Sequence, residues 1–240
     1  MVGGAGTVLV GAALWGKEVY DYWKPRRIGV YGPTQVGKTT LDRYMTTPGE
    51  MEDIGEDQRT RHFKKLFGES YVLPNPTRKR IRYDGNKRVL HSSDLGGEQK
   101  FWSLWIDDMV DRQVEGIIYM FDDRAKMGGS GAVDAVAGFE YLVDAIINRR
   151  YRYRRLRTRW RGKRYTPKYI QLVANKADRW WDDQASVLWQ QQRLREHKIF
   201  DAFRPAMIKL QKAGVICRVS MMATRIGWNV EHTLIKMLTM

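Results

Sequence analysis

The sequence predicts an α/β fold: a six-stranded, mainly parallel sheet with one antiparallel edge strand and helices on both faces. Two stretches, VEGIIYMFDD at 114–123 and YIQLVA at 169–174, are apolar almost throughout, as strands covered on both faces are. Segments of helical length and mixed pattern lie between the strand candidates, which suits a layered sheet with crossover helices. A third observation is the junction RRIGVY, GPTQVGKTT, LDRYM at 26–45, an apolar strand candidate, a glycine-bearing loop and a helix opening in that order.

The chain divides into an apolar N-terminal extension at 1–25 and one domain at 26–240 with insertions near 47–72 and 149–168. Met1 to Gly16 carries no charged side chain and is shorter than the roughly 20 apolar residues of a comfortable membrane span. It lacks the charged start of a secretory signal. It reads as a shallow anchor, a tilted or truncated span, or a helix packed on a partner.

The loop fits G-x-x-x-x-G-K-[ST] at Gly32, Gly37, Lys38 and Thr39. This chemistry needs backbone N–H groups curled around the β- and γ-phosphates, with glycines permitting the turn angles and close approach. Gly32, Pro33, Thr34, Gln35, Val36, Gly37, Lys38, Thr39 and Thr40 are therefore the candidate phosphate ligands. Lys38 brings the point charge, Thr39 a hydroxyl for Mg²⁺, and the helix opening there its positive dipole end.

Residues 94–105 read DLGGEQKFWSLW. Asp94 is placed to hold Mg²⁺ through water, and Gly97 to donate its N–H to a γ-phosphate, which makes the segment a sensor that relaxes on hydrolysis. The strand at 114–123 follows, then KMGGSGAVDAVAG at 126–138, read as a flexible glycine-rich run before the third helix.

Arg149 to Lys168 carries +11 of the chain's +15, with no acidic residue. The segment reads either as a projecting continuation of the third helix or as a basic hairpin. Interleaved Tyr and Trp suit RNA phosphates and bases. They equally suit an anionic membrane surface, and an acidic protein remains a further partner class.

After the strand at 169–174 comes NKAD. Asp178 can accept two hydrogen bonds from the N1–H and exocyclic amine of guanine, a donor pair adenine lacks, while Asn175 and Lys176 brace the loop and cover the base. Residues 183–203 read as one helix rich in Gln and Arg. GVICRV at 214–219 is the last strand, and 229–240 a closing helix. The single cysteine, Cys217, excludes an intrachain disulfide and fits a reducing compartment. The four histidines show neither metal nor triad spacing.

Gly96, Gly97, Lys100, Leu104 and Trp105 fall at the spacing of a G-G-x-x-K-x-x-x-L-W segment. On these residues and the two loops, the chain resembles the Arf/Sar group of Ras-like small GTPases, including the signal-recognition-particle receptor β subunit. The resemblance implies a Ras-like P-loop GTPase domain over residues 26–240. It also implies a switch threonine after a proline and before a hairpin: Pro76-Thr77 precedes RKRIRY, a turn at Asp84 to Asn86, and KRVLHSS. Thr77 thus becomes the second Mg²⁺ ligand beside Thr39 and Asp94. It lies 38 residues after Thr39, further than the group's usual separation, and Thr60 is the rival. A base-touching loop is expected at Ser220, Met221 and Met222.

Two departures bear on chemistry. The group places a water-orienting glutamine after the double glycine, where this chain has Glu98, with Gln99 one place later. Glu98, Gln99 and Lys38 are the candidate catalytic residues, and slow intrinsic hydrolysis of GTP to GDP is expected. Thr34 and Gln35 replace the small glycines that many Ras-like proteins carry in mid-loop.

The implied function is a guanine-nucleotide switch using GTP/GDP and Mg²⁺, with unidentified activating and exchange factors, on the cytosolic face of a membrane. Its group uses N-terminal apolar segments on membranes, and an apolar start plus a polybasic patch provides two-signal anchoring. Alternatives are an RNA- or ribosome-associated GTPase using the Arg-rich insertion, and a nucleotide-binding scaffold with almost no hydrolysis.

Overall fold

The computed structural model describes residues 26–46, 77–83, 86–92, 95–126, 130–148 and 167–238, with backbone alone for 77–83 and 86–92. In chain order the elements are β1 (Arg26–Tyr31), α1 (Lys38–Thr46), β2 (Thr77–Tyr83), β3 (Asn86–Ser92) and α2 (Trp102–Asp111). They continue with β4 (Gly116–Phe121), α3 (Ser130–Asn148), β5 (Tyr169–Ala174) and the one-turn α4 (Ala177–Trp180). The chain closes with α5 (Asp183–Gln190), α6 (Arg204–Lys212), β6 (Ile216–Met221) and α7 (Val230–Leu238).

The strand order is β2-β3-β1-β4-β5-β6. Its body is four parallel strands, with Ile28 opposite Gly116, Gly116 opposite Tyr169, and Tyr169 opposite Ile216. The antiparallel β2–β3 hairpin joins this body through two parallel pairs only, Arg26 with Leu90 and Arg27 with His91. The expected mainly parallel sheet is thus a four-stranded core with a hairpin attached along a short register.

Every residue of β4 and β5 is buried, because helices cover both faces. Alternation along β4 assigns the faces. Ile117, Tyr119 and Phe121 pack with Trp105 and Met109 of α2, Phe139 and Leu142 of α3, and Leu210 of α6. Ile118 and Met120 pack with Leu41 and Met45 of α1 and with Leu234 and Met237 of α7. A chain of rings runs through the first layer, from Tyr31 stacked on Trp105 to Phe139 against Phe203 and Phe203 against Phe121.

Two expectations are corrected. The glycine-rich run at 126–138 is helical from Ser130 onward, because its alanines favour helix and its apolar side reaches the aromatic layer. A β-carbon on Gly138 would lie 2.8 Å from the Tyr119 hydroxyl and 3.3 Å from the Trp105 ring, so glycine there permits close packing. The single helix expected at 183–203 is instead α5 followed by 3₁₀ turns at 194–196 and 198–203. Gln192, at φ +58, breaks it, and the buried His197 then caps the next turn by accepting from the Ile199 N–H. Past Asn148, the two readings of the Arg-rich segment fall on 149–166, outside the described residues. Among the described residues no helix is long and apolar enough to cross a membrane.

Gln171 in β5 is fully buried, and among the described residues neither its amide oxygen nor its nitrogen has a hydrogen-bond partner. It points to the layer holding Tyr169 and Val173. An orphaned buried amide costs about 1–3 kcal/mol, so Gln171→Met, close in volume and apolar, is expected to stabilise the fold by about 1 kcal/mol or more. Urea unfolding followed by circular dichroism checks this; an unchanged or lowered midpoint refutes it.

Candidate functional site

The site lies where β1, β4, β5 and β6 end, and its first component is the loop between β1 and α1. Gly32 (φ +140) and Gly37 (φ +94) hold backbone angles that favour glycine, and each also removes a clash. A β-carbon on Gly32 would come within 2.0 Å of the Met120 carbonyl oxygen on β4, and one on Gly37 within 2.4 Å of the Asn175 amide nitrogen. The buried Lys38 donates through Nζ to the Gly32 and Pro33 carbonyls at 2.8 and 2.6 Å, which fixes its ammonium inside the curl. Thr39 and Thr40 follow in the first turn of α1. Successive N–H groups, a helix N-terminus and a held cation are the groups that a phosphate cradle requires.

Asn175 supplies the second component. Its amide nitrogen donates to the Val36 carbonyl at 2.7 Å and to Thr224 Oγ1 at 2.9 Å, and its oxygen accepts from the Thr224 N–H at 3.1 Å. One buried side chain thereby ties the phosphate loop, the 175–178 segment and the 223–226 loop together. Asp178, in the first turn of α4, is exposed beside it, and Trp180 Nε1 donates to the Asn175 carbonyl at 2.9 Å.

The tie to Thr224 lies close to the loop expected at Ser220, Met221 and Met222. Ser220 and Met221 are fully buried, as is Met222. Ser220 Oγ lies 2.8 Å from Thr233 Oγ1 on α7. They belong to the end of β6 and its packing, and the turn at Thr224–Ile226 occupies the position beside Asn175. Only the Thr224 hydroxyl distinguishes that turn, a signal too common to find from sequence.

Lys176, with φ +56, donates to Asp122 Oδ2 at 2.7 Å. Asp122 directly follows β4 and is buried. Burial alone raises its carboxyl, but the hydrogen bonds from Arg124 and Lys176, with their charges, hold it below its ordinary 3.8. A carboxyl lowered in the fold contributes fully above its unfolded value and loses that contribution only as pH falls through the lowered one. The pair therefore stays intact through the neutral range. Asp122 was missed at sequence level, although a carboxylate ending a wholly apolar strand is a usable signal.

The double glycine is the third component. A β-carbon on Gly97 would meet Pro33 C at 2.3 Å and Thr34 N at 2.4 Å, so this segment lies directly on the phosphate loop. Two indoles hold it there: Trp105 Nε1 donates to the Gly96 carbonyl at 3.0 Å, and Trp102 Nε1 to the Gly97 carbonyl at 3.3 Å. Glu98 is exposed and ion-paired with Lys100, and Gln99 opens the 3₁₀ turn into α2, also exposed. Thr77 is the first residue of β2, opposite Ser92. The Thr77 side chain, Asp94, Pro76, Thr60 and the stretches 1–25 and 47–72 lie outside what is described. Among the described residues no cluster of three His, Cys, Asp or Glu side chains suits a metal.

No family model matches the sequence, and no curated protein matches it. Among solved structures, the chain is similar to the bacterial selenocysteine-specific elongation factor EF-Sec, with 18% sequence identity and a TM-score of 0.48. The match covers 90% of this chain, which spans 29% of the length of that one.

Asn175→Ala removes one donor group and one acceptor and leaves the Val36 carbonyl and the Thr224 N–H without it. A loss of about 1–3 kcal/mol of folding stability is expected, together with faster hydrogen exchange at residues 36 and 224. Exchange measured by mass spectrometry checks it; unchanged protection in both loops contradicts the tie.

Proposed function

We propose that this chain is a guanine-nucleotide switch of the Arf/Sar kind, binding GTP and GDP with Mg²⁺ and hydrolysing GTP slowly. The observation that carries the reading is the Asn175 amide on the Val36 carbonyl. It makes a phosphate cradle and a carboxylate suited to guanine parts of one site. A nucleotide fits the groups present: the loop turns through two positive-φ glycines packed against Met120 and Asn175, and Lys38 is held inside the curl. In this reading Lys38 neutralises the β- and γ-phosphates, Thr39, Thr77 and Asp94 hold Mg²⁺, and Asn175, Lys176 and Asp178 select guanine. Gly97, resting on the loop, donates its N–H to the γ-phosphate. Slow turnover follows from Glu98, whose carboxylate engages Lys100 and repels a γ-phosphate, leaving Gln99 to orient water.

A single-turnover time course with GTP and Mg²⁺, with ATP in parallel, tests this. GTP is expected to convert and ATP not, with conversion lost in Asp178→Asn and accelerated in Glu98→Gln. Tight GTP binding with no conversion in either the native chain or Glu98→Gln leaves a scaffold rather than a switch. Equal binding of ATP, or binding of neither nucleotide, overturns the guanine reading.

The proposed workplace is an anionic membrane surface on the cytosolic side, reached through the uncharged 1–16 stretch and the eleven positive charges of 149–168. Each basic residue at such a surface contributes about 1 kcal/mol. Co-sedimentation with phosphatidylserine vesicles is expected for the full chain and reduced at least tenfold by deleting residues 1–16. Undiminished binding after deletion, with tighter binding to RNA than to vesicles, refutes the anchor and favours RNA.

A further inference from the structure

Gln35 sits in the middle of the phosphate loop at φ +61, in the left-handed region. Glycine takes that conformation without penalty, whereas a residue with a β-carbon is strained there unless its surroundings hold it. Gln35 is exposed, so packing does not hold it. Its carboxamide oxygen instead accepts from Arg124 Nη1 at 3.2 Å, and the preceding Thr34 carbonyl accepts from Arg124 Nη2 at 3.0 Å. Both acceptors lie about ninety residues away along the chain.

Arg124 is itself fixed. Its Nε donates to Asp122 Oδ1 and Oδ2 at 3.0 and 3.1 Å, and its backbone N–H to Asp122 Oδ1 at 3.3 Å. Asp122 is buried, and its other cationic partner is Lys176, in the base-side segment. The planar guanidinium suits this double duty, one edge on a carboxylate and the other on two oxygens of the loop.

We infer that Arg124 is a positioning residue of the phosphate loop: it clamps Thr34 and Gln35 in the left-handed turn and, through Asp122, couples that loop to Lys176. The inference rests on the nucleotide-binding reading for its consequence, slow release of nucleotide, although the clamp itself exists without one. It gives a role to a non-glycine mid-loop: the glutamine that strains the turn also supplies the oxygen that the arginine grips. Release of Arg124 frees the turn and leaves Lys176 as the remaining cationic partner of Asp122, so the phosphate and base sides loosen together.

The test uses the full chain in five forms: native, Arg124→Ala, Arg124→Lys, Gln35→Gly, and Arg124→Ala with Gln35→Gly. Hydrogen exchange at the amides of 34–36, on nucleotide-free protein, reads the clamp without a nucleotide. Release of fluorescent N-methylanthraniloyl-GDP into excess GDP reads its consequence. Arg124→Ala is expected to exchange and release about tenfold faster, in line with losing hydrogen bonds to a charged group. Arg124→Lys recovers little, because an ammonium lacks the fork. In the Gln35→Gly background, Arg124→Ala is expected to change both rates less than threefold, since glycine needs no clamp; neighbouring residues that act together are non-additive in this way.

Unchanged exchange in Arg124→Ala overturns the inference, as do effects that simply multiply in the double variant. Should Arg124→Ala not fold, full retention of native rates by Arg124→Lys overturns it equally. Absence of labelled GDP binding to the native chain refutes the guanine reading alone, and the exchange data then decide the clamp.

Discussion

The Asn175 side-chain amide is the contact on which the rest of the site depends. Carried on the loop after β5, it is fully buried, and its polar atoms are engaged by the loops after β1 and β6. A buried amide is costly if left unsatisfied and specific if fully met. The three loops therefore hold one arrangement. Gly37 is part of the same constraint, since any β-carbon there would displace the amide. The parallel register of β1, β4 and β5 delivers these loops to a common edge, and the buried strands behind them give the loops a fixed base.

Charge is organised around that frame with little redundancy. Two cations, Arg124 and Lys176, share the buried carboxylate of Asp122, while Lys38 donates to the Gly32 and Pro33 carbonyls. The double-glycine segment is anchored by aromatic side chains. Trp102 and Trp105 hold the double-glycine carbonyls, and Trp105 stacks on Tyr31 at the end of β1. The double glycine is thereby tied to the aromatic layer.

Local requirements were legible in the chain; long-range pairings were not. The loop at 32–40 announces itself because its backbone angles and close approaches demand glycine at two fixed positions. β4 and β5 announce themselves because burial on both faces demands unbroken apolar residues. The burial of Ser220 and Met221 was hidden because the apolar run of β6 continues through Met222, and the turn beside Asn175 was hidden because Thr224 resembles any loop threonine. The break after α5 was likewise hidden, since Gln192 and His197 suit a helix as well as a turn.

The sequence by itself determined the strand, loop and helix at 26–46, the NKAD segment at a strand end, the double glycine at 96–97 and the location of the excess charge. Each follows from chemistry within a few neighbouring residues. Tertiary structure alone decided that Asn175 would meet Val36 across 139 residues, that Arg124 would grip Thr34 across 90, and that Asp122 would carry both cations. Those contacts depend on which loops the sheet brings together. A polar side chain shows its type in the sequence, but its partner is set by the order and register of strands that lie far apart along the chain.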